Sequence, residues 1–457
     1  MNRRKFLLRA GSVGVVAATA GCSGGTGGGS TEQEDGGGDG GDGGDGGDGG
    51  DGTATATDTA ADTSTSGGDT VKVGVLLPFS GDYNWVGANV MPVAEMIRDE
   101  INEAGGIGGR QVELVQGDTE GSPDASLSAT QRLIEVEGVT SIIGPTSITM
   151  SAVFEQFGDN EVPVVTPTAG TTSLDERGGE YVFRTVASDS LGGRAIAQAA
   201  REEQYNGTQS YDTITMMVGN EEVFQSFKGP VRSSFEEFGG SVADVIDFRT
   251  GKASYNSEVQ SMLSSDPSLT VLIGSKEDSI KIMEAAFQAG YEGNWFATQD
   301  QTTEAFLEES DNRVTNGMLG IQAAAYEEAT AAGRLEDFSE RVTEYTGEGP
   351  KQFAQNTFDA MNVVGLAMKQ LAADGEDVTG ANVAANIRPV ANAPEQEVTG
   401  YTEGASAIDE GADVNYQGLV GPIEFDEMGD IVAPFSVLTA QDGEWVQAAR
   451  LPPEALQ

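Results

Sequence analysis

The sequence contains no histidine and only one cysteine among its 457 residues. Without histidine there can be no Ser-His-Asp or Cys-His catalytic group, and the commonest zinc ligand and the usual general base near neutral pH are missing. An enzyme built on carboxylates or lysine stays open, but no Gly-rich phosphate loop or Walker-type sequence is present. We therefore expect neither an enzyme nor a metal protein, and no cofactor.

Basic residues are also few. The chain has 25 lysines and arginines against 73 acidic residues, which gives a formal net charge of -48. Such a surface repels nucleic acid and anionic lipid, so neither is expected as a partner. The composition resembles that of proteins from salt-accumulating halophiles, where molar salt shortens the Debye length to about 3 Å and screens the self-repulsion.

The amino terminus has the features of an export signal. Arg3 and Arg4 precede an apolar run at 11–20, which is typical of a twin-arginine signal peptide and shorter than the roughly 20 residues of a membrane span. Small residues lead into Cys22, and this looks like a lipobox, whose cysteine carries the lipid. A buried free thiol is the disfavoured alternative, because Cys22 lies outside any plausible core. We predict a signal peptide at 1–22 and anchoring to the outer face of the membrane.

Residues 23–69 consist mainly of Gly, Asp, Thr, Ser and Ala. The segment has no large apolar residue with which to build a core, so we expect a flexible tether. A calcium-binding β-roll is the alternative, since Asp-rich Gly repeats occur in such rolls. Those repeats need a large apolar residue in each turn, and this tract has none. We therefore expect no metal site here.

The remaining chain, 70–457, is too long for one ordinary core and predicts two lobes. A β-branched apolar run at 71–77 indicates a strand buried on both faces. Strands and helices then alternate in two series, 71–166 and 191–298, which predicts two doubly wound parallel sheets of α/β class. Ligands of such sheets bind beyond the carboxyl ends of the strands. Two lobes on a hinge would enclose a small ligand in a shared cleft.

Several short motifs follow one another in a set order. They are VGVLLPFSG from Val73, INEAGGIGGR from Ile101, IGP from Ile143, VPVVTP from Val162, FRT from Phe183 and GPIEFDEMG from Gly421. In this order and spacing the chain resembles the type I periplasmic binding proteins of branched-chain amino acid importers, typified by the leucine/isoleucine/valine-binding protein. The resemblance implies a monomeric solute-binding protein that delivers an amino acid or similar ligand to the permease subunits of an ABC transporter.

The resemblance also implies how the chain is divided. Lobe one would comprise 70–188 and 317–419, and lobe two would comprise 189–316 and 420–457. Members of the family often have a disulfide in lobe one, and this chain lacks the cysteines for it.

In the family, two loops of lobe one hold the ligand's α-carboxylate. The matching residue of the first loop is Ser147, with Thr146 as the alternative, although Ser147 could equally cap the helix that follows. In the second loop Thr168 matches a backbone contact, whereas Gly170 stands where the family usually has threonine. Either Thr171 replaces that threonine, or the head group is held differently.

An acidic residue of lobe two binds the ligand's ammonium group in this family, and Asp300 matches it. In so acidic a chain an ordinary surface aspartate is the competing interpretation. The family's aromatic residues at the cleft correspond to Phe224, Phe353, Tyr83 and Trp85, with core packing as the alternative for Phe353.

Other functions stay open at this point. The cargo could be an amide, urea, a polyamine or an aromatic acid, since Gly170 and the short Asp300 depart from the family pattern. The same fold also serves as the sensor of signalling receptors. That reading predicts a membrane span after the domain, and the sequence ends at Gln457.

Overall fold

The computed structural model describes residues 70–456, apart from Ala393 and Glu395. The predicted signal peptide, tether and lipid-bearing Cys22 lie outside the described residues. Within the described range no helix is both long enough and apolar enough to cross a membrane.

Strands and helices alternate along most of the described chain. The strands are β1 (Val71–Leu77), β2 (Val112–Asp118), β3 (Ser141–Ile143), β4 (Val164–Thr166), β5 (Val182–Arg184), β6 (Thr213–Gly219), β7 (Ser241–Phe248), β8 (Leu269–Ile273), β9 (Asn294–Ala297), β10 (Leu319–Ala323), β11 (Gln396–Val398), β12 (Val414–Tyr416), β13 (Phe435–Gln441) and β14 (Glu444–Leu451). The helices are α1 (Asn84–Glu103), α2 (Pro123–Gln131), α3 (Ser147–Asp159), α4 (Asp189–Arg201), α5 (Glu203–Asn206), α6 (Glu222–Glu237), α7 (Asn256–Ser264), α8 (Lys276–Gln288), α9 (Glu304–Glu309), α10 (Asn312–Thr315), α11 (Glu327–Ala331), α12 (Arg334–Thr346), α13 (Ala354–Asp374), α14 (Gly380–Ala391) and α15 (Tyr401–Asp409).

Two large sheets organise the fold. The first has the order β2-β1-β3-β4-β5, and its neighbouring strands are parallel. The second has the order β14-β13-β10-β9-β8-β6-β7, in which β6 to β10 are parallel and the β13–β14 hairpin is antiparallel. The predicted α/β fold with parallel sheets in two lobes is confirmed.

Each sheet is buried on both faces, as its apolar strands predict. In β1 the side chains of Val73 and Val75 enter one core of lobe one, while Leu76 enters the core on the opposite face. In β6 the side chains of Met216 and Met217 divide in the same way between the two cores of lobe two. Successive side chains of a strand point to opposite faces, so every second residue serves the same core.

The boundaries between the lobes differ from those that the family pattern implies. Gly317 (φ 86°) precedes β10, and β10 pairs with β9, so the second sheet continues past the expected crossing at 317. Buried residues as far as Ile431 belong to a core of lobe one, past the expected crossing at 419. The chain therefore returns to lobe one after Ala323 and leaves it again after Ile431.

Candidate ligand-binding cleft

Loops at the carboxyl ends of the strands bring the two lobes into contact. The hydroxyl of Tyr83, in the loop after β1, donates a hydrogen bond to the carboxylate of Glu221, in the loop after β6. Beside this contact, Ser151 Oγ in α3 donates to Glu222 Oε1 at 2.7 Å. These contacts bring the loop after β1 and the start of α3 in lobe one against the loop after β6 and the start of α6 in lobe two.

The expected anion-binding loop lies at the start of α3. Ser147 is the first residue of this helix and is 3% exposed. Its Oγ accepts a hydrogen bond from the backbone N–H of Thr171 at 3.2 Å, which ties the loop after β3 to the loop after β4. Ser147 therefore does not cap α3, and its own hydroxyl hydrogen has no acceptor among the described residues.

Thr146 precedes Ser147 and occupies the N-cap position of α3. Its side chain is buried, makes no capping hydrogen bond, and its hydroxyl has no partner within the described part of the chain. Buried polar groups normally have a hydrogen-bond partner, so this hydroxyl is free to bind a ligand. Both candidates of the first loop thus keep a donor next to the N-terminus of a helix, where an anion is favoured.

The threonine side chains of the second loop, after β4, already make hydrogen bonds within the protein. Thr168 Oγ1 donates to the carbonyl oxygen of Pro145 at 3.2 Å, and its N–H donates to Thr166 Oγ1 at 3.2 Å. Thr171 Oγ1 accepts the N–H of Ser173 at 3.2 Å. The backbone N–H of Gly170, in contrast, has no acceptor among the described residues. Thr168 and Thr171 therefore shape the loop, and Gly170 offers the free donor.

A steric contact explains why glycine, and not the threonine usual in the family, stands at position 170. A Cβ atom at this position would overlap Asp189 Oδ1 and lie 3.1 Å from the carbonyl oxygen of Ala187. Asp189 is 6% exposed, and its N–H donates to the carbonyl of Gly170 at 2.7 Å. Its buried carboxylate therefore fills the space that a side chain at 170 would need.

Gly170→Ala should lower the free energy of unfolding by about 1–3 kcal/mol, because the added methyl group overlaps a well-packed carboxylate. Chemical denaturation would measure this loss. Asp189→Ala in the same chain should reduce the penalty, since the overlapping group is removed. Gly229→Ala is the matched control: a Cβ there meets nothing within 4 Å, so no loss is expected. An equal loss at both glycines would contradict this account.

Arg184, at the end of β5, holds the second loop in place. The side chain is fully buried, and its Nη1 donates to the carbonyl oxygens of Gly170 at 2.9 Å and Thr171 at 3.0 Å. Its Nε donates to Asp430 at 2.6 Å and its Nη2 to Asp175 at 2.6 Å. Arg184 is a positioning residue that the sequence analysis missed, although it stands inside the FRT motif.

Carboxylates gather on the other side of the cleft. Asp300, in the loop after β9, is half-buried, and loss of hydration together with the negative charge of Glu221 raises its pKa to about 6. Burial raises the pKa of Asp189 to about 7, against the opposing effects of the Ser226 hydroxyl and Arg184. Burial and the bond to Glu221 also raise the pKa of the Tyr83 hydroxyl. A bound cation would relieve this concentration of negative charge.

The structure places the four predicted aromatic residues differently: Tyr83 contacts Glu221 across the lobes, Trp85 and Phe353 pack against a core of lobe one, and Phe224 is buried in lobe two. The rings of Trp85 and Phe353 stack with their centroids 6.1 Å apart and their planes at 14°. Phe353 precedes α13 with φ 70°. Phe224 is 2% exposed and packs in a core of lobe two against Gly219, so it offers almost no surface to a ligand.

A cavity of about 290 Å³ lies where the chain crosses between the lobes. It is lined by Gln299 from the loop after β9, by Gln322 at the end of β10, and by Phe353 before α13. The adjoining residues are Val186, just before the first crossing, and Val420, which belongs to the core of lobe one. The cavity is therefore part of the cleft between the lobes.

Two α/β lobes, joined by three crossings and facing each other through their ligand-binding loops, define a bilobed binding protein. A family described as periplasmic binding protein matches residues 70–443. The chain belongs to this family of type I periplasmic binding proteins. The resemblance in the sequence motifs is confirmed, and the family is one of solute-binding proteins.

Several relatives agree with this assignment. The chain is 24% identical over 367 residues to the chemotactic signal transduction system substrate-binding protein BasB of Halobacterium salinarum, covering 78% of this chain and 84% of the relative. It is 22% identical over 261 residues to the leucine-, isoleucine-, valine-, threonine- and alanine-binding protein of Pseudomonas aeruginosa, covering 57% of this chain and 68% of the relative.

The fold is also shared with solved structures. A leucine-binding protein from Thermotoga maritima superposes with a TM-score of 0.69 at 22% identity, over 84% of this chain and 99% of that chain. A branched-chain amino acid transporter substrate-binding protein from Streptococcus pneumoniae, in complex with isoleucine, superposes with a TM-score of 0.67 at 20% identity, over 84% and 99% of the two chains. At these identities the likeness shows the fold.

Proposed function

We propose that this protein is a lipid-anchored, extracytoplasmic solute-binding protein of an ABC importer, and that it captures an amino acid in the cleft between its lobes. The observation that carries the proposal is the division of polar groups between the lobes. Lobe one supplies free hydrogen-bond donors at Thr146, Ser147 and Gly170. Lobe two supplies the carboxylates of Asp300 and Glu221.

This division matches a zwitterionic head group. The α-carboxylate accepts hydrogen bonds from Ser147 and from the free N–H of Gly170, beside the N-terminus of α3. The ammonium group pairs with Asp300. Because each lobe holds one end of the same small molecule, the ligand joins the lobes and stabilises the closed cleft. The protein acts as a monomer without cofactor or catalysis and delivers its ligand to the permease subunits.

A thermal-shift screen of the full chain in molar KCl tests this function. The compounds are branched-chain and other amino acids, amides, urea, polyamines and aromatic acids. An amino acid should raise the melting temperature saturably, since a ligand that binds only the folded state adds about 2.7 kcal/mol of stability at 100 times its Kd. A response confined to one of the other compounds would identify that compound, rather than an amino acid, as the cargo. A chain that responds to none of them would contradict the proposed capture of an amino acid.

Ligand affinity should depend on pH through Asp300. Loss of hydration and the charge of Glu221 raise the pKa of Asp300 to about 6, and only the ionised form pairs with an ammonium group. Below pH 6 affinity should therefore fall by up to about tenfold per pH unit, and it should level off above pH 7. Calorimetric titration between pH 5 and pH 8 measures this. A flat profile with the unaltered chain would remove Asp300 from the ammonium site.

Sensing is the second candidate function, and the similarity to the chemotactic substrate-binding protein of Halobacterium salinarum favours it. Measurements on cells that lack the gene distinguish the two functions. Loss of uptake of a radiolabelled ligand would support the importer. Normal uptake with loss of swimming toward the same ligand would support a sensor.

The proposed anchor depends on Cys22. A Cys22→Ser change removes the thiol that would carry the lipid, so the protein should move from the membrane fraction to the culture medium. Immunoblots of the two fractions measure this. Retention of the variant in the membrane fraction would rule out lipid on this cysteine.

A further inference from the structure

Four glutamine side chains line the cavity between the lobes. Gln299 and Gln322 come from lobe two, and Gln352 and Gln355 flank Phe353 at the start of α13. All four are partly exposed. Within the described residues no hydrogen bond joins any of these four side-chain amides to another protein group, and the bonds to Gln299 go to its backbone carbonyl.

The remaining polar groups of the cavity wall are already engaged. Thr302 Oγ1 donates to the carbonyl of Gln299 at 3.1 Å, and Thr303 Oγ1 accepts the N–H of Phe306 at 3.2 Å. Asn356 donates from its amide to the carbonyl of Thr185 at 2.8 Å. The ammonium of Lys351 pairs with Glu348 at 2.6 Å. Among the polar side chains of the cavity wall, the four glutamines are therefore those that make no hydrogen bond to the protein, and they are neutral.

The cavity adjoins the proposed ammonium site. Gln299 is the direct neighbour of Asp300 in the loop after β9. On the opposite wall Phe353 stacks on Trp85, which lies two residues beyond Tyr83, the partner of Glu221. A ligand held by its head group at Asp300 would thus extend its side chain toward the glutamines. The volume of about 290 Å³ is at the low end for small-molecule sites, as suits one amino acid.

We infer that this cavity receives a neutral, hydrogen-bonding amino-acid side chain, of which a carboxamide is the best match, rather than a branched aliphatic one. The inference rests on the proposed function and specifies its cargo. Each glutamine offers both a donor and an acceptor, and a carboxamide supplies both in return. An aliphatic side chain would displace water from these amides and leave them unpaired, and sites built to hydrogen-bond a substrate strongly reject analogues that cannot do so.

Calorimetric titration of the full chain with near-isosteric pairs tests the inference. The pairs are asparagine with leucine, threonine with valine, and glutamine with methionine. The polar member of a pair should bind about 10- to 100-fold more tightly, the ratio that corresponds to leaving a buried polar group unpaired. This comparison uses the unaltered chain and does not depend on the folding of any variant.

Single variants then test which glutamines cause the preference for a polar ligand. Gln352→Leu and Gln355→Leu should each reduce the preference for the polar member by about tenfold, because each removes one partner of the ligand. Gln370→Leu is the matched control: it lies on the same helix, outside the cavity, where its amide donates to Asp374 at 3.0 Å. The control should keep the preference of the unaltered chain.

The outcomes separate the two proposals. If leucine or valine binds as tightly as its polar partner, the inference is overturned and the proposed amino-acid function stands. If no amino acid binds, the proposed function fails, and the inference fails with it. If Gln370→Leu changes the preference as much as the cavity variants do, the assignment to these four glutamines is wrong.

Discussion

Asp300→Asn should weaken the binding of an amino-acid ligand by about 100-fold or more. The change keeps the size and shape of the side chain and removes its negative charge. The ligand's ammonium group would then be enclosed in the cleft without a full counter-charge, and breaking one half of an enclosed ion pair costs about 3–5 kcal/mol. Glu221 remains nearby, but its carboxylate is engaged by the hydroxyl of Tyr83. Calorimetric titration with the best ligand of the screen measures the loss.

The control for this experiment is Asp159→Asn, at the exposed end of α3. It removes the same charge from the protein, so its effect on affinity reports the general field of the acidic surface. Molar salt screens that field, and we expect almost no change in affinity. Equal affinities of the Asp300 and Asp159 variants would refute the ammonium role of Asp300. Circular dichroism should show both variants folded.

Arg184→Met should have the largest effect on stability, a loss of about 3–5 kcal/mol in the free energy of unfolding. Methionine fills much of the same volume but leaves Asp175 and Asp430 without their shared counter-ion. It also leaves the carbonyls of Gly170 and Thr171 without a donor. The second loop of the anion site should therefore loosen, and ligand affinity should fall as well.

Urea denaturation in molar KCl measures this loss of stability. The matched control is Arg313→Met, whose arginine is 72% exposed and pairs with Asp311 at the surface. Exposed pairs contribute little, so this variant should unfold close to the unaltered chain. If the two variants unfold at the same urea concentration, Arg184 does not hold the loop together.

Local patterns predicted the elements but not which sheet each element joins. The apolar run at 71–77 became β1 with the same bounds, because a strand buried on both faces has a continuous apolar sequence. Nothing local distinguishes β10 from a strand of lobe one, since its partners β9 and β13 are set by the path of the chain. The boundary at 317 was wrong for that reason.

The candidate site was likewise predicted only in part from the sequence. Ser147 and Asp300 could be proposed from motif positions. The overlap between Asp189 and a side chain at position 170 could not be predicted, because it involves two loops that meet only after folding. The sequence did not single out Glu221, because in a chain with 73 acidic residues one glutamate says little about the position of a binding site. The four glutamines of the cavity come from three separate segments, and no single stretch of sequence marks them all.

The threefold crossing of the chain determines how this protein can fold during its synthesis. Strand β10 borders β9 on one side and needs β13 on the other, so it remains an open edge until residues 435–441 have been made. Lobe one likewise waits for α13, which packs against α1. Open strand edges and uncovered apolar faces promote aggregation. Each lobe therefore lacks part of its core until late in synthesis, because the core of lobe one needs residues as far as Ile431 and that of lobe two needs residues as far as Leu456.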